Sequence, residues 1–491
     1  MKRIFIIAAA AAMLAGITAN AKVKLPSVIG DHMVLQQQTD ASIWGWADAG
    51  KKVSVRTSWD SKARYETLAG KDGRWSLKVS TPSYGGPYTM EISDGEKVTI
   101  SDVMIGEVWV CSGQSNMEMP VSGWSNQPVE GSTEAIMKAG TYSDRIHLFT
   151  VGRASTPEPQ QDCKGEWQQA SIVSVPGCSA IAYFFAEYLT DILGMPVGLL
   201  ISDWGGSSID AWMPKDLEMS VASENSSNES VEARIARFDV YENHRVAHLY
   251  NGMITPVMGY TAKGFLWYQG CTNKGDITLY DRLQSAMVAR WREDWGDSDN
   301  SMPFYYCTIA PFVYGDAQRF DRGYFVENQM HAAAITPNSD YVCTEAFSPV
   351  IDCIHPRQKK EVSRQFALLA ASKTYGIKVG VEVGCPVFKE MAVKDDGEIE
   401  LVFDNCPGGG LFTTDYTRNV KGIEVAGEDK VFHPAEARTR DNKILVKACP
   451  EVPNPVAVRY SFRNFDEANV VSRSGFPLPP FRTDDWNDVE R

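Results

Sequence analysis

A hydroxyl able to act as a nucleophile stands at Ser115, in the stretch Val108-Trp109-Val110-Cys111-Ser112-Gly113-Gln114-Ser115-Asn116-Met117. An apolar strand runs into a tight turn at Gly113, and Ser115 follows where the turn opens into a helix. A hydroxyl held at the carboxyl end of a strand has backbone N–H groups near it that can face the oxyanion formed when an acyl carbonyl is attacked. Such a seat serves acyl transfer, which also needs a base and a group that orients the base. Of the seven histidines, His355 fits that need, in Asp352-Cys353-Ile354-His355-Pro356. The D-x-x-H spacing lets one loop carry both carboxylate and imidazole, and Pro356 keeps His355 outside the helix that follows. The expected roles are Ser115 as nucleophile, His355 as general base and Asp352 as the acid that sets the imidazole tautomer.

Two further segments end predicted strands. Asp203-Trp204-Gly205-Gly206-Ser207-Ser208 follows a strand at 197–202, and its glycines allow a backbone N–H to approach a substrate oxygen closely. Trp267-Tyr268-Gln269-Gly270-Cys271-Thr272-Asn273 follows a strand at 264–268, where an amide from Gln269 or Asn273 can complete an oxyanion site. Taken singly, each segment reads as a cap or a glycine turn. Together, at the ends of different strands of one sheet, they are far more specific.

The elements that must position these residues follow from the pattern. Residues 22–101 read as short strands broken by turns such as Gly70-Lys71-Asp72-Gly73, a small antiparallel β-sandwich module that is a scaffold or faces carbohydrate. From 102 to 380 apolar strands at 146–151, 197–202, 264–268 and 304–309 alternate with helices at 179–193, 280–295 and 357–375. That alternation predicts right-handed crossovers, a parallel sheet covered on both faces, and an active site at the carboxyl ends of its strands. A polar stretch at about 215–245, richest in Ser, Asn and Glu at 223–230, reads as an insertion. Strand-like pieces return over 381–491 as a C-terminal β-rich region, with Gly408-Gly409-Gly410 as a turn.

The chain has 491 residues, 44% hydrophobic and 22% charged, enough to bury a large core in two or three domains. Met1-Lys2-Arg3, an apolar run and Ala19-Asn20-Ala21 form a signal-peptide pattern over 1–21, which predicts export to the periplasm or the extracellular space. A formal net charge of −14 makes nucleic acid and anionic membrane poor partners. The ten cysteines include no C-x-x-C pair, so no zinc or other metal site is expected. Oligomeric state is not encoded in any motif.

These motifs, with Asp210-Ala211-Trp212, Leu249-Tyr250-Asn251-Gly252-Met253-Ile254 and the closing Gly475-Phe476-Pro477-Leu478-Pro479-Pro480-Phe481-Arg482-Thr483-Asp484, resemble the sialate O-acetylesterases of the SGNH-hydrolase superfamily. The resemblance spans nearly the whole exported chain. It implies a flavodoxin-like three-layer α/β catalytic domain with β-rich flanking modules, a serine esterase acting on O-acetyl esters of sialic acids or related glycans, and no cofactor. Residue by residue it implies Ser115, His355 and Asp352 as the catalytic set and Gly206, Gln269 and Asn273 as oxyanion donors. Trp204 and Tyr268 become candidates for lining a sugar site, and Arg357 for meeting a sugar carboxylate. One departure stands out: the family has an acidic residue after the Q-G pair, where this chain has Cys271. Two alternatives stay open, an acetylxylan- or pectin-type polysaccharide acetylesterase and a carbohydrate-binding protein that keeps the fold without turnover.

Overall fold

The computed structural model describes residues 23–224, 229–395, 397–406 and 410–487. The expected signal segment 1–21, Gly408 and Gly409 of the expected turn, and part of the polar stretch at 223–230 lie outside the described residues. The described residues open with six strands: β1 (Val34–Gln36), β2 (Asp40–Trp46), β3 (Lys52–Thr57), β4 (Tyr65–Leu68), β5 (Arg74–Ser80) and β6 (Gly85–Ser93). In β3, Val53, Val55 and Thr57 are buried between the more exposed Lys52, Ser54 and Arg56, the period of two that a half-buried strand requires. Antiparallel pairing of β2 with β5, and of β3 with β4 and β6, makes the first module.

Strand β7 (Lys97–Gly113) carries the chain from that module into the next domain. Its first half pairs antiparallel with β6 and its second half parallel with two strands of the central sheet. The boundary expected at 101–102 therefore falls inside one strand. Val34, Ile43 and Val53 of the module share an apolar cluster with Val108 and Val110.

The central sheet is completed by β8 (Ile146–Thr150), β9 (Trp167–Gln169), β10 (Val197–Asp203), β11 (Gly264–Tyr268), β12 (Phe304–Cys307) and β13 (Ser339–Val342). Their order is β13-β12-β11-β7-β10-β8-β9, parallel throughout except for the β8–β9 edge. From β7 the chain moves out to β8, returns to β10 and then crosses to β11. The direction of winding reverses beside the carboxyl end of β7, the position at which open α/β sheets hold ligands.

The helices are α1 (Ser115–Glu118), α2 (Ser132–Lys138), α3 (Ala180–Leu193), α4 (Lys215–Ser223), α5 (Val231–Phe238), α6 (Tyr280–Asp294), α7 (Asp321–Ile335) and α8 (Lys359–Leu369). Trp109 and Cys111 of β7 pack with Phe184 and Phe185 of α3 and Phe366 of α8, whereas Val108 and Val110 share a cluster with Trp291 of α6 and Phe325 of α7. Alternate residues of one strand thus feed two cores, and the result is the expected three-layer α/β domain. Helix α3 keeps its predicted limits because Ser179 caps it, accepting from the Ala182 N–H at 3.1 Å, and Gly194 ends it at φ 68°.

The polar stretch at 215–245 is more built than an ordinary insertion. Arg234 of α5, 2% exposed, donates to Glu218 at 2.8 Å, Asp210 at 2.6 Å and Asp276 at 3.0 Å. Removing the guanidinium strands carboxylates away from water, so Arg234→Met is expected to cost about 3–5 kcal/mol, read as a lowered Tm in thermal unfolding. An unchanged Tm would show that the clamp does not support the fold.

Residues 381–487 add antiparallel β-structure around a core of its own that includes Leu401, Phe403, Val425, Tyr460 and Phe481. The closing segment returns Phe476 to the core beneath α3 and α8. All ten cysteines are free thiols. Among the described residues no helix is long and apolar enough to cross a membrane.

Candidate active site

The turn after β7 is set by backbone crowding. Gly113 has φ 142°, and a Cβ there would lie 2.3 Å from the Tyr268 carbonyl oxygen, so only glycine lets β7 end this close to β11. Gln114 locks the same corner. Its N–H donates to the Tyr268 carbonyl and its Oε1 accepts from the Gly270 N–H, each at 2.9 Å. Ser115 then opens α1 with its hydroxyl free of the ladder.

His355, 240 residues along the chain, meets that hydroxyl: Nε2 lies 2.9 Å from Ser115 Oγ. Its other ring nitrogen, Nδ1, lies 2.7 Å from Gln127 Oε1. An amide oxygen only accepts, so Nδ1 carries the proton and Nε2 presents a lone pair to the serine, the tautomer a general base requires. This corrects the expectation for Asp352. Its side chain is exposed and has no hydrogen bond to the ring, and the orienting group is the neutral Gln127. A D-x-x-H spacing brings the two residues into one loop, but the loop turns the carboxylate to solvent while His355 faces inward.

The His355 loop is held from both sides. Asn116 Nδ2 donates to the Ile354 carbonyl at 3.0 Å, and the buried Lys359 ammonium donates to Asn116 Oδ1 while lying over the Tyr268 ring at 5.4 Å. On the other side the Glu130 N–H donates to the Arg357 carbonyl at 2.9 Å, and Trp124 meets the imidazole edge-on with ring centroids 4.9 Å apart. Burial, aided by the Lys359 cation, pushes the His355 imidazolium down to about 4. Burial likewise pushes Lys359 down to about 7.

The expected oxyanion amides are engaged elsewhere. Gln269 Nε2 donates to the Ser207 carbonyl and to Asn273 Oδ1, each at 2.9 Å, while its Oε1 accepts from Tyr280 at 2.6 Å. Asn273 Nδ2 donates to Asp210 and Asp276, and its Oδ1 accepts from the Ile209 N–H. Both side chains are buried with their donors spent, so they brace the 204–209 loop rather than face a substrate. That loop lies against the nucleophile, since a Cβ on Gly205 would sit 3.5 Å from Ser115 Cβ. Among the described residues, no acceptor takes the backbone N–H of Ser115 or of Gly206, which has φ 72°.

A family model described as "Carbohydrate esterase, sialic acid-specific acetylesterase" matches residues 105–368, more than half of the chain and all of the site above. The chain belongs to this esterase family. It is 26% identical to the mouse sialate O-acetylesterase over 93% of this chain and 94% of that protein, and 27% identical to the human sialate O-acetylesterase over 72% of each. A solved carbohydrate acetylesterase from Xanthomonas citri superposes with a TM-score of 0.81 at 30% identity, covering 94% of this chain and 100% of that one.

The remaining expected residues of this esterase divide. Trp204 lies on the loop beside Ser115, half-buried, with the Arg153 guanidinium over its ring at 5.4 Å. Tyr268 does not line the site; it is 1% exposed in β11 and packs in the sheet core. Arg357 is exposed at the rim, its guanidinium 3.8 Å from Glu130. Cys271 is held by Tyr314, whose hydroxyl donates to its sulfur at 3.4 Å, and burial pushes its thiol up.

Four further residues near the nucleophile, Gln127, Trp124, Glu118 and Arg153, stand in none of the motifs above. Gln127 and Trp124 sit in a loop without a motif. Glu118, three residues after Ser115, accepts from the Gly205 N–H at 2.7 Å and pairs with Arg153. The Glu118 spacing from Ser115 is legible; its partners come from the loops that follow β10 and β8.

Proposed function

We propose that this esterase cleaves O-acetyl esters of sialic acids or related glycans through an acetyl-enzyme on Ser115, and that the chain is exported. The observation that carries the reading is the 2.9 Å approach of His355 Nε2 to Ser115 Oγ, with Nδ1 engaged by Gln127. Ser115 Oγ attacks the acetyl carbonyl carbon as its proton passes to His355 Nε2. The tetrahedral oxyanion faces the free N–H groups of Ser115 and Gly206, each such donor being worth about 3–4 kcal/mol in the transition state. Collapse breaks the bond to the sugar oxygen, which takes the proton from His355. Water, deprotonated by the same imidazole, then attacks the acetyl-serine and releases acetate. Export is supported by the Lys2 to Ala21 pattern.

A neutral amide orients the base as a carboxylate would, but it lends the imidazolium no charge stabilisation. Gln127→Ala is expected to lower kcat/KM by about 10–100-fold through loss of tautomer and ring control, whereas Asp352→Ala leaves it within a factor of three or so. The comparison is made on an aryl acetate, and the reverse ranking would restore Asp352 to the site.

The substrate is tested by acetate release from 9-O-acetyl-N-acetylneuraminic acid, acetylated xylan and an aryl acetate. Release from the sialic acid ester at a kcat/KM above that for xylan supports the reading. Preference for xylan assigns the enzyme to polysaccharide deacetylation, and release from the aryl ester alone removes the glycan from the proposal.

A further inference from the structure

The loop from Trp204 to Ser207, which lies against Ser115, has all but one of its peptide hydrogen-bonding groups engaged. In its first peptide group, the Gly205 N–H donates to Glu118 Oε2 at 2.7 Å and the Trp204 carbonyl accepts from the Ser207 N–H at 3.2 Å. In the second, the Gly205 carbonyl accepts from Asn243 Nδ2 at 2.7 Å. In the third, the Gly206 carbonyl accepts from His244 Nε2 at 2.6 Å and from Thr272 Oγ1 at 3.0 Å. What remains among the described residues is the Gly206 N–H of the second group.

A trans peptide group is planar, and its C=O and N–H point in opposite directions. The Gly205 carbonyl and the Gly206 N–H are the two ends of one such plane, so Asn243 fixes the line along which Gly206 donates. His244 and Thr272 fix the next plane, which shares the Gly206 Cα. Gly206 has φ 72° and no side chain to wedge it against a neighbour, so its flanking planes turn easily unless their carbonyls are held. A hydrogen bond to the Gly205 carbonyl also polarises the peptide group and strengthens the N–H at its other end as a donor.

Asn243 and His244 stand on a segment that is itself braced. The His244 carbonyl accepts from Ser208 Oγ at 3.0 Å, the Ala247 N–H donates to the Asp210 carbonyl at 3.0 Å, and the Tyr241 ring meets the His244 imidazole edge-on with centroids 5.1 Å apart. A carbonyl oxygen only accepts, so His244 Nε2 carries the proton of its bond to Gly206. Among the described residues neither side chain is hydrogen-bonded to Ser115 or His355. We infer that Asn243 and His244 are positioning residues of this esterase: they hold the Gly205 and Gly206 carbonyls so that the Gly206 N–H meets the oxyanion formed on the acetyl carbon at Ser115. The end of the polar stretch at 215–245 thereby serves the reaction through the loop it grips. The inference rests on the acetyl-enzyme reading and deepens it.

The test assays the full chain on an aryl acetate as Asn243→Ala, His244→Ala and His244→Gln, beside Ser115→Ala, with rates counted per folded molecule from circular dichroism of the same samples. Acylation and deacylation both pass through an oxyanion, so each alanine variant is expected to lower kcat about 10–100-fold with KM within about threefold of wild type. His244→Gln places an amide N–H near the position of Nε2 and should recover kcat to within about fivefold of wild type. Should an alanine variant not fold, Asn243→Leu or His244→Phe, which keep bulk without a donor, takes its place. If Ser115→Ala is inactive while the Asn243 and His244 variants keep kcat within about threefold of wild type, the positioning role falls and the acetyl-enzyme stands. A raised KM at unchanged kcat, or a loss in His244→Gln as large as in His244→Ala, also overturns the positioning role. Full activity in Ser115→Ala removes the acetyl-enzyme reading instead, and the inference with it.

Discussion

Ser115→Ala is expected to lower kcat for acetate release by about 10⁶-fold, to the level left by binding and the oxyanion donors. The size follows from the site geometry. Ser115 Oγ is the atom that His355 addresses, at 2.9 Å, and no other hydroxyl is hydrogen-bonded to that imidazole among the described residues. Stability should barely move, because the hydroxyl supports no backbone group and Gly113, Gln114 and Asn116 hold the turn without it. Mass spectrometry of the wild type, acid-quenched during turnover of an aryl acetate, should find one acetyl group on the peptide containing Ser115 and none in the variant. Activity within tenfold of wild type, with the acetyl group on another residue, would remove Ser115 from the mechanism.

His355→Ala is expected to approach the same loss, about 10⁵–10⁶-fold, since nucleophile and base act as a unit. The pH profile of the wild type separates this role from a structural one. Burial and the Lys359 cation depress the imidazolium to about 4, so Nε2 keeps its lone pair across the neutral range. The acid limb of kcat/KM should therefore fall near pH 4 and not near the ordinary histidine value of about 6.5. Linkage has the same sign. The folded pKa lies below the unfolded one, so the stability that follows from keeping His355 neutral is present above about 6.5 and is lost as pH falls toward about 4. Lys359→Met removes the nearby cation and should move the acid limb upward. An acid limb that stays near 6.5 in the wild type would mean that His355 titrates in the open and is not the buried base.

The corrections at this site share one cause. The motifs carrying Ser115 and His355 were legible because each combines a reactive side chain with a backbone device, Gly113 in one and Pro356 in the other. Asp352 was a natural choice by spacing, yet a three-residue offset in a loop does not determine where a carboxylate points. Gln127, 228 residues before His355, has no pattern around it, and only the packing of the 120–131 loop on the histidine segment brings its amide to Nδ1. Gln269 and Asn273 were sound choices by residue type. Which polar groups consume their donors was settled by Ser207 and Asp210 arriving from another segment, with Asp276 three residues beyond Asn273. Tyr268 illustrates the same limit for aromatics, since its place in a strand buried on both faces turned a candidate sugar platform into core.

By itself the sequence determined the local grammar: strand and helix periods, the Ser179 cap and Gly194 stop of α3, the Gly113 turn, and hence an α/β domain with the reactive serine at a strand end. These depend on interactions within a few residues, which chain order records directly. Tertiary structure alone decided that β7 fuses the first module to the catalytic sheet, that an amide rather than a carboxylate steadies His355, and that Gln269 and Asn273 serve as braces. Each of those outcomes is a competition among polar or apolar groups far apart in the chain, won by whichever partner the packed sheet and its loops bring within hydrogen-bond reach.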